Sequence, residues 1–187
     1  MVSTRVCTLF ALLTISNPIT PALAQDTATI VSNVRGIDEA SSTLIRDLVS
    51  RSATGRELVD QIDRSDLVVY VRRRLFTTTM LNGRIGFLQS DCSRRLVAIE
   101  VAAPRNYVEE LTALGHELQH AVEIASDSTV CDSASLADLY SRIGDLTIQS
   151  TPSEESYETH AAAEIGSRVR RELLQAAAHE NARSSAP

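Results

Sequence analysis

The sequence contains no lysine; all 18 of its basic residues are arginine. That excludes lysine Schiff-base chemistry and any phosphate loop built around a lysine. Glycine is scarce, with seven residues, and none of them forms a Gly-rich phosphate cradle. Basic residues are also outnumbered, 18 against 24 acidic ones, and the net charge of −6 argues against a nucleic-acid backbone as partner. Only three cysteines occur, and Cys92 and Cys131 lack zinc-knuckle spacing. Long apolar runs are missing as well, apart from one short stretch at the N-terminus.

That stretch reads as an export signal. Arg5 supplies the positive charge, Val6 to Ile15 is the apolar run, and Pro18 and Pro21 break it. Ala22-Leu23-Ala24 then forms a small-x-small cleavage site, which places the mature terminus near Gln25. The run is too short for a stable bilayer anchor, so no membrane span is expected after signal removal, and the localisation implied is secreted or periplasmic. Cys7 leaves with the signal. A disulfide between Cys92 and Cys131 is then permitted in an exporting compartment. It would close a loop of about 40 residues and contribute roughly 3–4 kcal/mol.

The 187 residues fit one domain with a modest core. The expected organisation is a signal over 1–24, a loose arm over 25–38, one domain over 39–180 and a frayed tail over 181–187. Leu44, Ile45 and Leu48 recur at helical spacing between Glu39 and Ser50, and Leu58, Val59 and Ile62 mark a second short helix after Ser52. Leu67–Val71, Arg84–Leu88 and Leu96–Val101 read as three strands, with Asn82-Gly83 as a turn. Arg72, Arg73 and Arg74 read as a solvated strand end. A long helix is expected over about 106–125, a shorter one through Leu136, Leu139, Tyr140 and Ile143, and a last one over about 156–178. Helices, a small meander and more helices make an α+β fold, with an antiparallel or mixed sheet of about three strands.

The sharpest signal is His116-Glu117-Leu118-Gln119-His120 inside the long helix. Two histidines at i and i+4 share one helix face, about 6 Å apart along the axis. Both imidazoles can therefore reach one tetrahedral zinc ion. Glu117 lies about 100° round the wheel, within reach of a water at the metal. The apolar stripe of Leu114, Leu118 and Ala121 lies roughly opposite the histidines, so these should face across a cleft rather than into the core.

An HExxH helix following a short sheet resembles the zincin superfamily of metallopeptidases. The metzincin subgroup does not fit, because Glu123 and Ser126 stand where its pattern has Gly and His. The gluzincin subgroup draws a third ligand, a Glu, from a later helix. The stretch Tyr157-Glu158-Thr159-His160-Ala161-Ala162 resembles that helix. Glu158, His160 and Glu164 compete for the role. On a helical wheel Glu158 interrupts the apolar stripe of Ala161, Ala162, Ile165 and Val169, where a carboxylate is costly unless it is paired or bound to metal. Glu164 sits nearer Arg168, and His160 lies on the outer side, so Glu158 is preferred. Where many gluzincins place an Asp to support a ligand His, this chain has Ala162, so that support must come from elsewhere. Tyr107, Tyr140 and Tyr157 are all open as the group that stabilises the oxyanion.

The resemblance implies a zinc-dependent metallohydrolase acting on a peptide or protein. Zinc would be held by His116, His120 and Glu158, with Glu117 as the catalytic base. It also implies that the strand Leu96–Val101 is available to pair with an extended substrate. A non-catalytic zinc-binding or interaction module with the same ligands is the alternative. A metal-free helical adaptor is a third reading. The sequence carries no signal of oligomeric state.

Overall fold

The computed structural model describes residues 31–76, 81–91, 93–146 and 157–184. The export signal and its cleavage site lie outside the described residues, as does Cys92. Cys131 is exposed with a free thiol, and the expected bridge, which needs Cys92, falls outside the described residues.

Among the described residues the fold is α+β, with five helices, a four-stranded mixed sheet and a two-stranded ribbon. Strand β1 (Val34–Gly36) leads into helices α1 (Glu39–Arg51) and α2 (Ala53–Asp63). Asp38 and Ser52 start these helices by accepting from the backbone N–H groups of Ser41 and Gly55. Three strands follow: β2 (Leu67–Arg74), β3 (Gly83–Ser90) and β4 (Arg95–Ala102). Helices α3 (Tyr107–Ser126) and α4 (Ser133–Ile143) come next. The ribbon strands β5 (Asp145–Leu146) and β6 (Tyr157–Glu158) precede the last helix, α5 (His160–Ser184).

The sheet order is β1-β2-β4-β3, with β1∥β2 and β2∥β4 parallel and β3 antiparallel to β4. It is therefore not a meander. The chain leaves β2, runs along the outside edge as β3, and returns between the two as β4. The near-continuous burial of Leu67–Val71 and of Val97, Ile99 and Val101 fits central strands of a parallel pair. The segment Val34–Gly36, read as part of a loose arm, is an edge strand of this sheet. At the other end, α5 extends to Ser184, into the stretch read as a frayed tail.

Helices pack against the sheet and against one another. Helix α3 packs on β2, β3 and β4, with α1, α2 and α5 around it. Leu44, Leu48, Ile62, Leu111, Leu114, Leu118, Ile124 and Leu173 are completely or almost completely buried between them. Among the described residues no helix is long and apolar enough to cross a membrane.

The arginines after Val71 are exposed at the end of β2, as expected of a solvated strand end, and each is also paired with a carboxylate. Arg73 donates two hydrogen bonds, of 2.8 and 3.0 Å, to the buried Glu110 in the first turn of α3. Arg72 and Arg74 turn to the other face of the sheet and pair with Glu100, which Arg84 also reaches from β3. Glu110 accepts a third bond from the Arg105 backbone N–H at 2.9 Å, which anchors the entry to α3.

The far end of α3 is held by Arg95, whose side chain is only 4% exposed. It grips Asp66 through two bonds of 2.7 and 2.8 Å. It also donates to the carbonyls of Ile124 (2.8 Å), Asp127 (2.7 Å), Ala125 (3.2 Å) and Val130 (3.4 Å). These include carbonyls that a helix C-terminus cannot satisfy by itself. Arg95→Met should therefore cost about 3 kcal/mol, because the carbonyls and one carboxylate lose their donor together. A lowered urea midpoint with unchanged m-value is the expected readout.

Candidate metal centre

Helix α3 supplies His116, Glu117 and His120, and the short strand β6 supplies Glu158. Burial extends round much of the α3 surface, because α5 packs on it as well as the sheet. The histidines thus do not look out over an open cleft: His120 is 5% exposed and His116 is half-buried. Gly115 permits this close packing, and Gly166 lies against His116. A Cβ on Gly115 would lie 2.9 Å from Val169, and one on Gly166 would lie 3.4 Å from His116.

The two imidazoles stand edge to face, with centroids 5.0 Å apart. Glu158 reaches between them. Its Oε2 is 3.3 Å from His116 Nε2 and its Oε1 is 4.0 Å from His120 Nε2. Among the described residues these three form the group able to hold a metal ion, with ligand atoms all within 4.8 Å of one another. A tetrahedral zinc with bonds of roughly 2.0–2.1 Å needs ligand atoms about 3.4 Å apart, close to what the three side chains present. Glu158 Oε1 is buried and accepts no hydrogen bond. A buried carboxylate oxygen without a donor is costly, and a cation between the imidazoles would satisfy it. The donor set, two imidazole nitrogens and a carboxylate oxygen, suits zinc.

No family model, curated protein or solved structure matches the chain.

The helical-wheel argument for Glu158 does not describe its position. Glu158 precedes α5, and Thr159 starts that helix by accepting from the Ala162 N–H at 3.1 Å. Glu158 is brought to the histidines by pairing opposite Asp145 in the β5–β6 ribbon. His160 and Glu164 are exposed on α5, and Glu164 accepts from Arg168 at 3.3 Å. Neither belongs to the group.

Glu117 is buried, and burial pushes its carboxyl above the ordinary range, although both histidines pull the other way. It lies against the first residue of β3: a Cβ on Gly83 would stand 2.7 Å from Glu117 Oε1 and 2.9 Å from its Cγ. Burial acts to lower the pKa of His116, but the carboxylates around it, Glu158 first, more than offset this and raise it.

The sequence did not single out Glu123. Its Oε2 lies 2.9 Å from His120 Nδ1, and its Oε1 accepts from the Thr159 hydroxyl at 2.7 Å. The signal was available in the spacing, because Glu123 follows His120 by three residues on the same helix. Of the three tyrosines, Tyr107 hydrogen-bonds Asp47 at 2.7 Å, near the start of α3 and away from the histidines. Tyr140 packs edge-on to His120, with centroids 5.2 Å apart, and donates to the His120 carbonyl at 3.2 Å. Its hydroxyl is thus engaged on the α3 backbone, and burial raises its pKa. Tyr157 adjoins Glu158 on β6 and is half-buried.

Proposed function

We propose that this chain is an exported zinc-dependent metallohydrolase, a peptidase, with His116, His120 and Glu158 as metal ligands and Glu117 as catalytic base. The observation that carries this reading is the donorless Oε1 of Glu158, buried beside two imidazole nitrogens. The buried Glu117 supports it, since a carboxylate raised toward neutrality is suited to taking and returning a proton.

Zinc, when bound, would polarise the scissile carbonyl and make water a stronger nucleophile at neutral pH. Glu117 takes the proton of the attacking water and passes it to the leaving nitrogen. His116 and Glu158 leave room on their solvent side, with side chains 23% and 41% exposed, and a substrate enters there. Strand β4 is not the strand that pairs with an extended substrate, because β2 and β3 flank it. The outer edge of β3 takes that role in this reading, since Gly83 at its start touches Glu117.

Metal analysis of the purified mature chain, followed by incubation with a peptide library with and without chelator, tests the reading. One zinc per chain and chelator-sensitive cleavage are expected. A metal-free chain, or one that carries zinc and cleaves nothing, contradicts it. Gly83→Ala should lower turnover at least about tenfold at full metal occupancy, since the new methyl group displaces the Glu117 carboxylate and misplacements near 1 Å are costly. Steady-state kinetics on the zinc-loaded variant check this.

A further inference from the structure

We propose that Glu123 is the positioning residue of the metal centre, holding the His120 ring in one orientation, and that Thr159 holds Glu123 in turn. This rests on reading His116, His120 and Glu158 as metal ligands.

A carboxylate accepts hydrogen bonds and cannot donate them. The 2.9 Å contact between Glu123 Oε2 and His120 Nδ1 therefore places the ring hydrogen on Nδ1. In the neutral imidazole the lone pair then lies on Nε2, the atom that faces Glu158. The second carboxylate oxygen is not idle. It accepts the Thr159 hydroxyl at 2.7 Å, and Thr159 is almost completely buried. The same hydroxyl oxygen accepts the Ala162 N–H and so starts α5.

The chain of contacts has a geometric result. His120 lies on α3, and Glu158 lies on β6, immediately before Thr159. Glu123 joins the two elements behind the ligand atoms, so the spacing between His120 Nε2 and the Glu158 carboxylate is set by a covalent neighbour of Glu158. Tyr140 packs edge-on against the same ring. His120 is thus held at its outer nitrogen and at its side, with Nε2 left for the ligand role.

The test uses the full mature chain and three variants: Glu123→Ala, Glu123→Gln and Thr159→Ser. Zinc affinity is read by competition with a chromophoric chelator. Cobalt(II) replaces zinc for visible spectra, and thermal unfolding is followed in excess EDTA. Glu123→Ala should bind zinc roughly 10–100-fold more weakly than the parent, the usual cost of removing a ligand's outer partner. Glu123→Gln keeps an oxygen for the Nδ1–H but loses the charge, and should fall between the two. The cobalt bands should shift in both, which a purely structural role for Glu123 would not cause. Thr159→Ser keeps the hydroxyl and should match the parent. Parental affinity and an unchanged cobalt spectrum in Glu123→Ala overturn the proposal. If that variant does not fold in EDTA, the same result in the near-isosteric Glu123→Gln overturns it. A parent chain that takes up neither zinc nor cobalt overturns the metal-centre reading itself, and this proposal with it; a parent that binds while the variants match it overturns this proposal alone.

Discussion

Glu117→Gln should keep its metal and lose hydrolysis by about 10²–10⁴-fold, the range that general-base catalysis commonly supplies. Gln has nearly the same shape and can occupy the same buried space between α3 and Gly83. It cannot accept a proton. Because Glu117 is not among the three clustered ligands, metal content should be unaffected. Burial favours the neutral carboxyl at this position, so a neutral amide should not destabilise the fold, and the variant is compared directly with the parent. Zinc content and peptide hydrolysis measured on the same preparation decide the matter. An active Gln variant at full occupancy removes Glu117 from the mechanism.

Glu158→Ala should lose zinc on mild dialysis, whereas Glu164→Ala and His160→Ala should retain it. A catalytic zinc commonly has three protein ligands, and a two-histidine remnant binds far more weakly. Glu158 is the carboxylate that lies between the two imidazoles, 3.3 and 4.0 Å from their Nε2 atoms. Glu164 is exposed and bonded to Arg168, and His160 is exposed at the start of α5. The folds of the three variants should agree by circular dichroism, since β6 pairs through its backbone. Metal loss from Glu164→Ala or His160→Ala, with retention by Glu158→Ala, contradicts the ligand assignment.

The helices were legible in the sequence through their apolar spacing. Asp38, Ser52 and Asn106 each sit at an N-cap, and the periodic leucines that follow them are buried. Strand positions were legible too, but not their partners. Leu67–Val71 and Leu96–Val101 are apolar runs that suit either a parallel or an antiparallel neighbour, and nothing local reveals that β3 runs outside both. Three-residue β1 carries too few residues for a period of two to appear.

The candidate site divides in the same way. His116, Glu117 and His120 share one helical turn, so their relation follows from helix geometry. Glu158 was reached through a helical wheel, yet the residue lies on a ribbon strand one position before the Thr159 cap. A Thr ahead of an alanine-rich run is itself an N-cap signal, and reading it would have moved the helix start. Glu123 escaped notice because it was weighed only as the wrong residue for a metzincin pattern, not as a partner three positions beyond His120. The exposure of the arginines after Val71 was legible, but not their pairing, because their partners, Glu100 and Glu110, are distant in sequence.

Helix α3 is gripped at both ends, at its first turn through Glu110 and at its last through Arg95. The consequence is torsional. A helix turned by one residue's worth, 100° on the wheel, would swing both imidazoles out of the site while leaving the helix itself intact. With its two ends fastened to β2, β4 and the loop before β2, α3 has no such freedom, and the azimuth of His116 and His120 is set by two arginines that do not touch them. Lysine could not replace Arg95 there: a guanidinium spreads its donors over a carboxylate and four carbonyls at once, where an ammonium offers three from a single point. In a chain without lysine, arginine works as a fastener as much as a charge.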